Sequence, residues 1–397
     1  MTLSAGSVAA SDLNEIDAAT SGTIDASSVM TMTGNASEVA TSYASAEIIG
    51  LGNEAVTLTD IVLAALSLND LDARTSGVID ASSVTTLFDA ATALASAYAS
   101  SGISGLGNEA VTLTDTTAAA DSLNVIDAAT SGLVNASSVK GVTGAAFSVL
   151  AAYASGGIVG LGDEPVVLTG TLATAIDLNA VNAKTIGVVN MASVLAVTGS
   201  LSDLTVTYSA TGFTGRGNEA LTLTDMTVAA TALSALDGLT TGVIDASSVK
   251  MLTGTMFEVT SVNASPGISG LGEAAFTVTG TADADTINGS AYDDFLSGLS
   301  GSDILNGHGG SDTMTGGAGA DTFIFVAGMA NGDVVTDFSG AGGDNDVLVL
   351  QGYGKGASFH DLGGGNYEIA DAGRTVVDLI KVDGLVAGTD YRFELVI

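Results

Sequence analysis

Five aspartates, Asp285, Asp294, Asp303, Asp312 and Asp321, recur at a nine-residue step. Each closes a glycine-rich run and is followed, two residues later, by a large apolar side chain: Ile287, Leu296, Leu305, Met314 or Phe323. A coil that stacks every second step brings these acids together as Asp285 with Asp303, Asp294 with Asp312, and Asp303 with Asp321. Like charges in register repel unless a cation sits between them, and hard cations, calcium above all, take oxygen ligands. The carbonyls of the glycine-rich turns supply further oxygens, with Gly301, Gly310 and Gly319 each at the fourth place of a turn. Three pairs imply about three calcium sites, with weaker ones at the ends.

The elements that would position these groups follow from the same nine residues. Six form a turn in which glycine adopts backbone angles other residues resist, and three form a short strand with its apolar residue inward. "GLSGSDILN", "GHGGSDTMT" and "GGAGADTFI" match the G-G-x-G-x-D-x-U-x nonapeptide, and the segment resembles the RTX, or haemolysin-type, calcium-binding proteins. The resemblance implies a parallel β-roll over residues 280–326 that binds calcium. Leu299 and His308 replace the second glycine of their turns, Tyr292 a fourth, and "GTADADTIN" lacks two, which weakens the sites at Asp285 and Asp294. His308 reads as an exposed loop residue, since calcium avoids nitrogen. Residues 327–397, with "DVVTDF" and "DNDVLVL", resemble the β-rich caps of type I secreted proteins. "YRFELVI", with Glu394 before an apolar end, resembles their uncleaved C-terminal secretion signal. Type I secretion machinery is the partner this implies.

Composition agrees. The 397 residues carry 44 acids against 9 lysines and arginines, a formal charge of -35, with 46% hydrophobic residues. Such a balance opposes nucleic acid and anionic lipid and favours cations. There is no cysteine, so neither disulfides nor thiolate metal sites arise. No run of 18 apolar residues suits a spanning helix, and the first residues, with Asp12 and Glu15, lack the pattern of a classical signal peptide.

Residues 1–279 hold five copies of a 55-residue unit. "LNEIDAATSGTIDASSV" at Leu13 returns at Leu68, Leu123, Leu178 and Leu233, and "GLGNEAVTLTD" at Gly50 keeps the same phase. A constant period predicts stacked units. Each unit reads as two strands and two short alanine-rich helices, one with the stripe Ile61, Ala64, Ala65, Leu68 and Leu71, and Asp60, Asp115 and Asp225 stand at the N-cap of that first helix. The fold class is therefore a repeat protein: an α/β solenoid making roughly two coils per unit, then the calcium-binding parallel β-roll and its β-rich cap. An array of independent α+β modules is the rival. "DARTSGVIDASS" from Asp72 has serine where an EF-hand needs a bidentate glutamate; Gly77 there serves a turn and Asp80 nearby backbone. The ladder Asn14, Asn69, Asn124 and Asn179 reads as backbone satisfaction at a bend, and the Thr57–Thr59 pairs read as ordinary outward strand threonines, a flat array of the ice-binding kind being the lesser alternative because Val167 interrupts it.

No H-E-x-x-H, G-x-S-x-G, Walker or dinucleotide fingerprint is present, and the reading is not an enzyme. Five like units suit multivalent contact: a secreted, extracellular or cell-surface calcium-binding protein of surface-layer, matrix or adhesin type, meeting itself or cell-surface polysaccharide. A secreted RTX hydrolase with a nonstandard active site is the alternative.

Overall fold

The computed structural model describes residues 1–4, 6–385 and 390–394. It divides into two compact units, Met1–Val194 with Ala210–Arg216, and Leu195–Ser209 with Gly217–Ile397. The last three residues of the "YRFELVI" stretch lie outside the described residues.

The first unit is a stack of α/β coils. Thr33 pairs in parallel with Thr57, Thr57 with Asp80, and Asp80 with Ser104, across strands Thr31–Gly34, Ala55–Leu58, Ile79–Asp80 and Ile103–Ser104. Neighbouring repeats thus share sheets, which excludes independent modules. The pairing step is 23 or 24 residues (57 to 80, 33 to 57), so one repeat spans more than two coils. Each repeat also holds more than two strands, because two-residue strands such as Ile79–Asp80 are too short to show alternation in sequence. Helices instead recur at Ala36, Ala65, Ala91 and Ala120, a longer step than the coil. The helix row therefore drifts across the strand columns and cuts them. One more 24-residue step from Ile103 lands inside Ala120–Ala129, where the five-stranded sheet ends.

This offset also dissolves the threonine array. Thr57 and Thr112 belong to different sheets, and the outward row through Thr57 reads Thr33, Thr57, Asp80, Ser104.

The helices pack through small inward faces. Ala65, Leu68 and Leu71 are buried, whereas Ile61 is 63% exposed and precedes the helix, which begins at Ala65. Asp60 and Asp115 accordingly do not cap the helices that follow them. The Asp115 carboxylate accepts the Ala91 N–H at 2.5 Å, and that of Asp60 accepts Ala36 N–H at 2.8 Å, each 24 residues back. The coil places each acid beside the preceding coil's helix start. The asparagine ladder works in the opposite direction: Asn14, Asn69 and Asn124 amides donate to the carbonyls of Glu38, Ala93 and Ser148, each at 2.9 Å.

Two buried glutamates of this stack have both oxygens partnered. Buried Glu109 accepts the Gly107 and Asn108 N–H groups at 2.8 and 3.1 Å and the Tyr98 hydroxyl, and Glu54 repeats the set with Gly52, Asn53 and Tyr43. Burial, with the glutamate beside it, pushes the Tyr98 phenol up, so it stays a donor. Asp80 accepts the Ser82 N–H as expected; Gly77 is glycine for closeness, since a Cβ there would stand 2.1 Å from the Glu54 carbonyl oxygen.

In the second unit, the last repeat strand Ala275–Thr279 pairs in parallel with Phe295–Ser300, which pairs with Thr313–Ala318 and then Val334–Val335. Thr286–Asn288, Ile304–Asn306, Thr322–Val326, Val347–Gln351 and Tyr391–Glu394 form the facing column. Ile287 aligns with Leu305 and Phe323, and Leu296 with Met314; all five are buried between the columns. An antiparallel trio, Ser358–Gly363, Asn366–Ala370 and Val377–Val382, extends the first column.

The helix Ala91–Ala99 has no side-chain cap of its own at Ala90. Asp115→Ala should cost about 1 kcal/mol and speed amide exchange in the first turn of Ala91–Ala99, read by hydrogen–deuterium exchange. Faster exchange in the first turn of Ala120–Ala129 instead would contradict the cross-coil cap.

Candidate metal centre

The roll turns the nine-residue step into two acid columns, because each coil takes two steps. The Asp303 Oδ1 accepts the N–H of Asp285, Asp312 that of Asp294, and Asp321 that of Asp303, each at 2.8 Å. Each of these three carboxylates therefore leans onto the turn eighteen residues before it. Asp294, Asp303, Asp312 and Asp321 are at most 1% exposed.

Their second oxygens separate the rungs. The Asp285 Oδ2 accepts the Thr281 N–H and hydroxyl, and Asp294 is held by Ser290 and by the Phe276 N–H of the last repeat strand. By contrast, the Oδ2 atoms of Asp303, Asp312 and Asp321 are buried with no hydrogen-bond partner. An unpartnered buried carboxylate oxygen is costly, so an unpaired acceptor of this kind needs a cation or a proton. Among the described residues, no three histidine, aspartate or glutamate side chains cluster to hold a metal by themselves. Any shell must draw on main-chain carbonyls, the donor set that suits calcium.

The glycines fit that role. Gly301, Gly310 and Gly319 have φ of +128°, +117° and +136°. A Cβ on Gly319 would stand 1.5 Å from the Gly301 carbonyl oxygen, and one on Gly310 would stand 2.6 Å from that of Tyr292. Glycine at the fourth place thus lets successive turns touch. A Cβ on Gly298, Gly307 or Gly316 would fall 2.2, 1.9 or 2.3 Å from the Oδ2 of that turn's own aspartate, so these glycines form the cradle around the unpartnered oxygens. Leu299 and His308 hold the same left-handed conformation without being glycine, at φ +76° and +65°, a strain of roughly 1–2 kcal/mol each. His308 is exposed.

Burial, more than charge repulsion, raises the carboxyls. It pushes Asp312 up to about 8 and Asp321 up to about 6, with the neighbouring aspartates adding to both, and it lifts Asp294 and Asp303 above the usual carboxylate range. The residue order in sequence missed the continuation of the ladder. Asp333 and Asp346 Oδ1 accept the N–H groups of Asp312 and Asp321 at 2.9 Å, yet lie 21 and 25 residues beyond them. The available signal was the aspartate-x-apolar triplet of Asp333-Val334-Val335 and Asp346-Val347-Leu348.

A raised carboxyl pKa favours the folded state below the unfolded value near 3.8, and that contribution fades as pH climbs through the folded value. In chelator, the roll should gain β structure as pH falls from about 8 toward about 4, read by circular dichroism. Loss of roll structure on acidification across that window would contradict the burial of these groups.

A family model, the RTX calcium-binding nonapeptide repeat (4 copies), matches residues 279–314 and 288–323. No curated protein sequence is significantly similar to the chain. Among solved structures, the chain matches the solution structure of the AlgE6R3 subunit from the Azotobacter vinelandii mannuronan C5-epimerase. That match has 25% identity over 27% of this chain and 70% of that one, with a TM-score of 0.22. The acid ladder, its glycine turns and the family match converge on one identification: residues 279–323 are RTX repeats, a calcium-binding module.

Proposed function

We propose that the chain is a secreted structural protein of the cell surface or extracellular matrix, exported by type I machinery, whose roll folds on meeting extracellular calcium. The observation that carries this reading is the set of three buried, unpartnered carboxylate oxygens on Asp303, Asp312 and Asp321. In the reading, Asp285, Asp294, Asp303, Asp312 and Asp321 hold the ions with carbonyls of the turns at Gly301, Gly310 and Gly319.

Calcium, when bound, supplies the positive charge that offsets desolvation of these acids. The chain's own groups do the rest. Backbone N–H groups of the preceding coil fix each Oδ1, glycine cradles fix each Oδ2, and the apolar residues Ile287 to Phe323 close the coil from inside. At calcium a hundredfold above its dissociation constant, each site adds about 2.7 kcal/mol to folding. In calcium-poor cytosol that term vanishes, and an unfolded roll remains fit for export.

Support for a structural role of the repeats comes from their surface. Clefts between Ala36–Ala44 and Ala65–Asp72, and between Leu201–Ser209 and Ala230–Asp237, are lined by equivalent positions: Ser37 and Ser202, Asp60 and Asp225, Leu63 and Val228. A surface that repeats serves multivalent contact better than one catalytic centre.

The test compares cells and purified protein with and without chelator. Retention at the cell surface and assemblies visible by electron microscopy are expected in calcium, and both should disperse in chelator. A monomer at all calcium concentrations, or turnover in a broad hydrolase screen, would contradict the structural reading.

A further inference from the structure

The acid columns do not stop where the nonapeptide spacing stops. Thr313 pairs with Val334 and Thr322 with Val347, so Asp333 and Asp346 stand just before their strands, as Asp312 and Asp321 do. They are 2% and 3% exposed. Each accepts, through Oδ1, the N–H of the rung beneath it, repeating the bond that Asp303 makes to Asp285.

We propose that Asp333 and Asp346 are calcium ligands, closing two sites beyond the matched repeats with Asp312 and Asp321 respectively. This rests on the calcium reading of the nonapeptide turns and extends it to residues outside them.

The acids alone would not carry the assignment. The independent observation is the unpartnered, fully buried Oδ2 of Asp312 and of Asp321, which belong to the turns that Asp333 and Asp346 cover. Each of those turns has two faces, one toward the preceding coil and one toward the following coil. The covering segments are turns of the same character, with Gly328 and Gly332 before Asp333 at φ +77° and +100°, and Gly342 before Asp346 at φ +100°. Asp346 Oδ2 accepts the Ser339 N–H at 2.8 Å, but a carboxylate oxygen has a second lone pair for a cation. Asp337 stays outside the pair, both its oxygens being taken by the Gly316 and Gly317 N–H groups at 2.9 and 2.8 Å.

The cradle recurs too. A Cβ on Gly340 would stand 2.2 Å from the Asp390 Oδ2, the relation Gly298 has to Asp303 and Gly316 to Asp321. Asp390 precedes the strand Tyr391–Glu394, which pairs with Val347–Gln351. One column thus reads Asp285, Asp303, Asp321, Asp346, Asp390, although its sequence steps grow from 18 to 25 to 44. Longer turns hide the rungs from any fixed-period pattern.

The test is calcium content per full-length chain, measured by elemental analysis after equilibrium dialysis against calcium alone. Asp333→Asn and Asp346→Asn should each retain one ion fewer than the unsubstituted chain, and Asp303→Asn, which belongs to two pairs within the repeats, at least one fewer. Unchanged content in both cap variants, with an ion lost in Asp303→Asn, would overturn this proposal and leave the repeat sites standing. An unsubstituted chain that retains no calcium would instead overturn the reading beneath it. Should a variant not fold, crystals of the unsubstituted chain grown in calcium give the same answer by anomalous scattering. Peaks beside Asp333 and Asp346 are expected, and peaks at the nonapeptide turns alone would refute the extension.

Discussion

Carboxylates stacked one coil apart in a dry interior are the constraint on which the C-terminal structure depends. Each has one oxygen tied to the backbone of the coil before it, and from Asp303 to Asp321 the other oxygen has no protein partner. Burying an ionised acid without a partner costs several kcal/mol, so this arrangement is only as stable as the positive charge available to it. The glycines follow from that requirement. Turns must touch for the oxygens to converge, and a Cβ at Gly319 would strike the Gly301 carbonyl.

Two glutamates buried in the repeats have the opposite outcome. Glu54 and Glu109 each accept two backbone N–H groups and a tyrosine hydroxyl, so the protein itself satisfies them. Nothing about these glutamates calls for a metal. One chain therefore carries two ways of burying a carboxylate, one complete in itself and one conditional on its surroundings. Within the second unit the two meet at a shared sheet, where the repeat strand Ala275–Thr279 donates the Phe276 N–H to Asp294. The first rung of that column thereby has protein partners on both oxygens, unlike Asp303, Asp312 and Asp321.

How far these features could be read beforehand depended on whether spacing stayed constant. The apolar phase from Ile287 to Phe323 and the eighteen-residue pairing were legible, because turns of equal length keep sequence and space in step. Asp333, Asp346 and Asp390 were not, since their turns lengthen while the strands stay in register. The 55-residue period was plain, but the coil of about 24 residues was not, because strands of two residues leave no alternation to detect. Asp115 looks like a local N-cap in sequence; only the coil shows that it caps a helix 24 residues back.

The most direct measurement is hydrogen–deuterium exchange across the chain during calcium titration from a chelated start. The account predicts cooperative protection over residues 280–385 as calcium rises, while amides of the repeat strands, such as Ala55–Leu58 and Ala110–Leu113, stay protected throughout. Equal protection of the roll with and without calcium would contradict the claim that its buried carboxylates make folding depend on the ion.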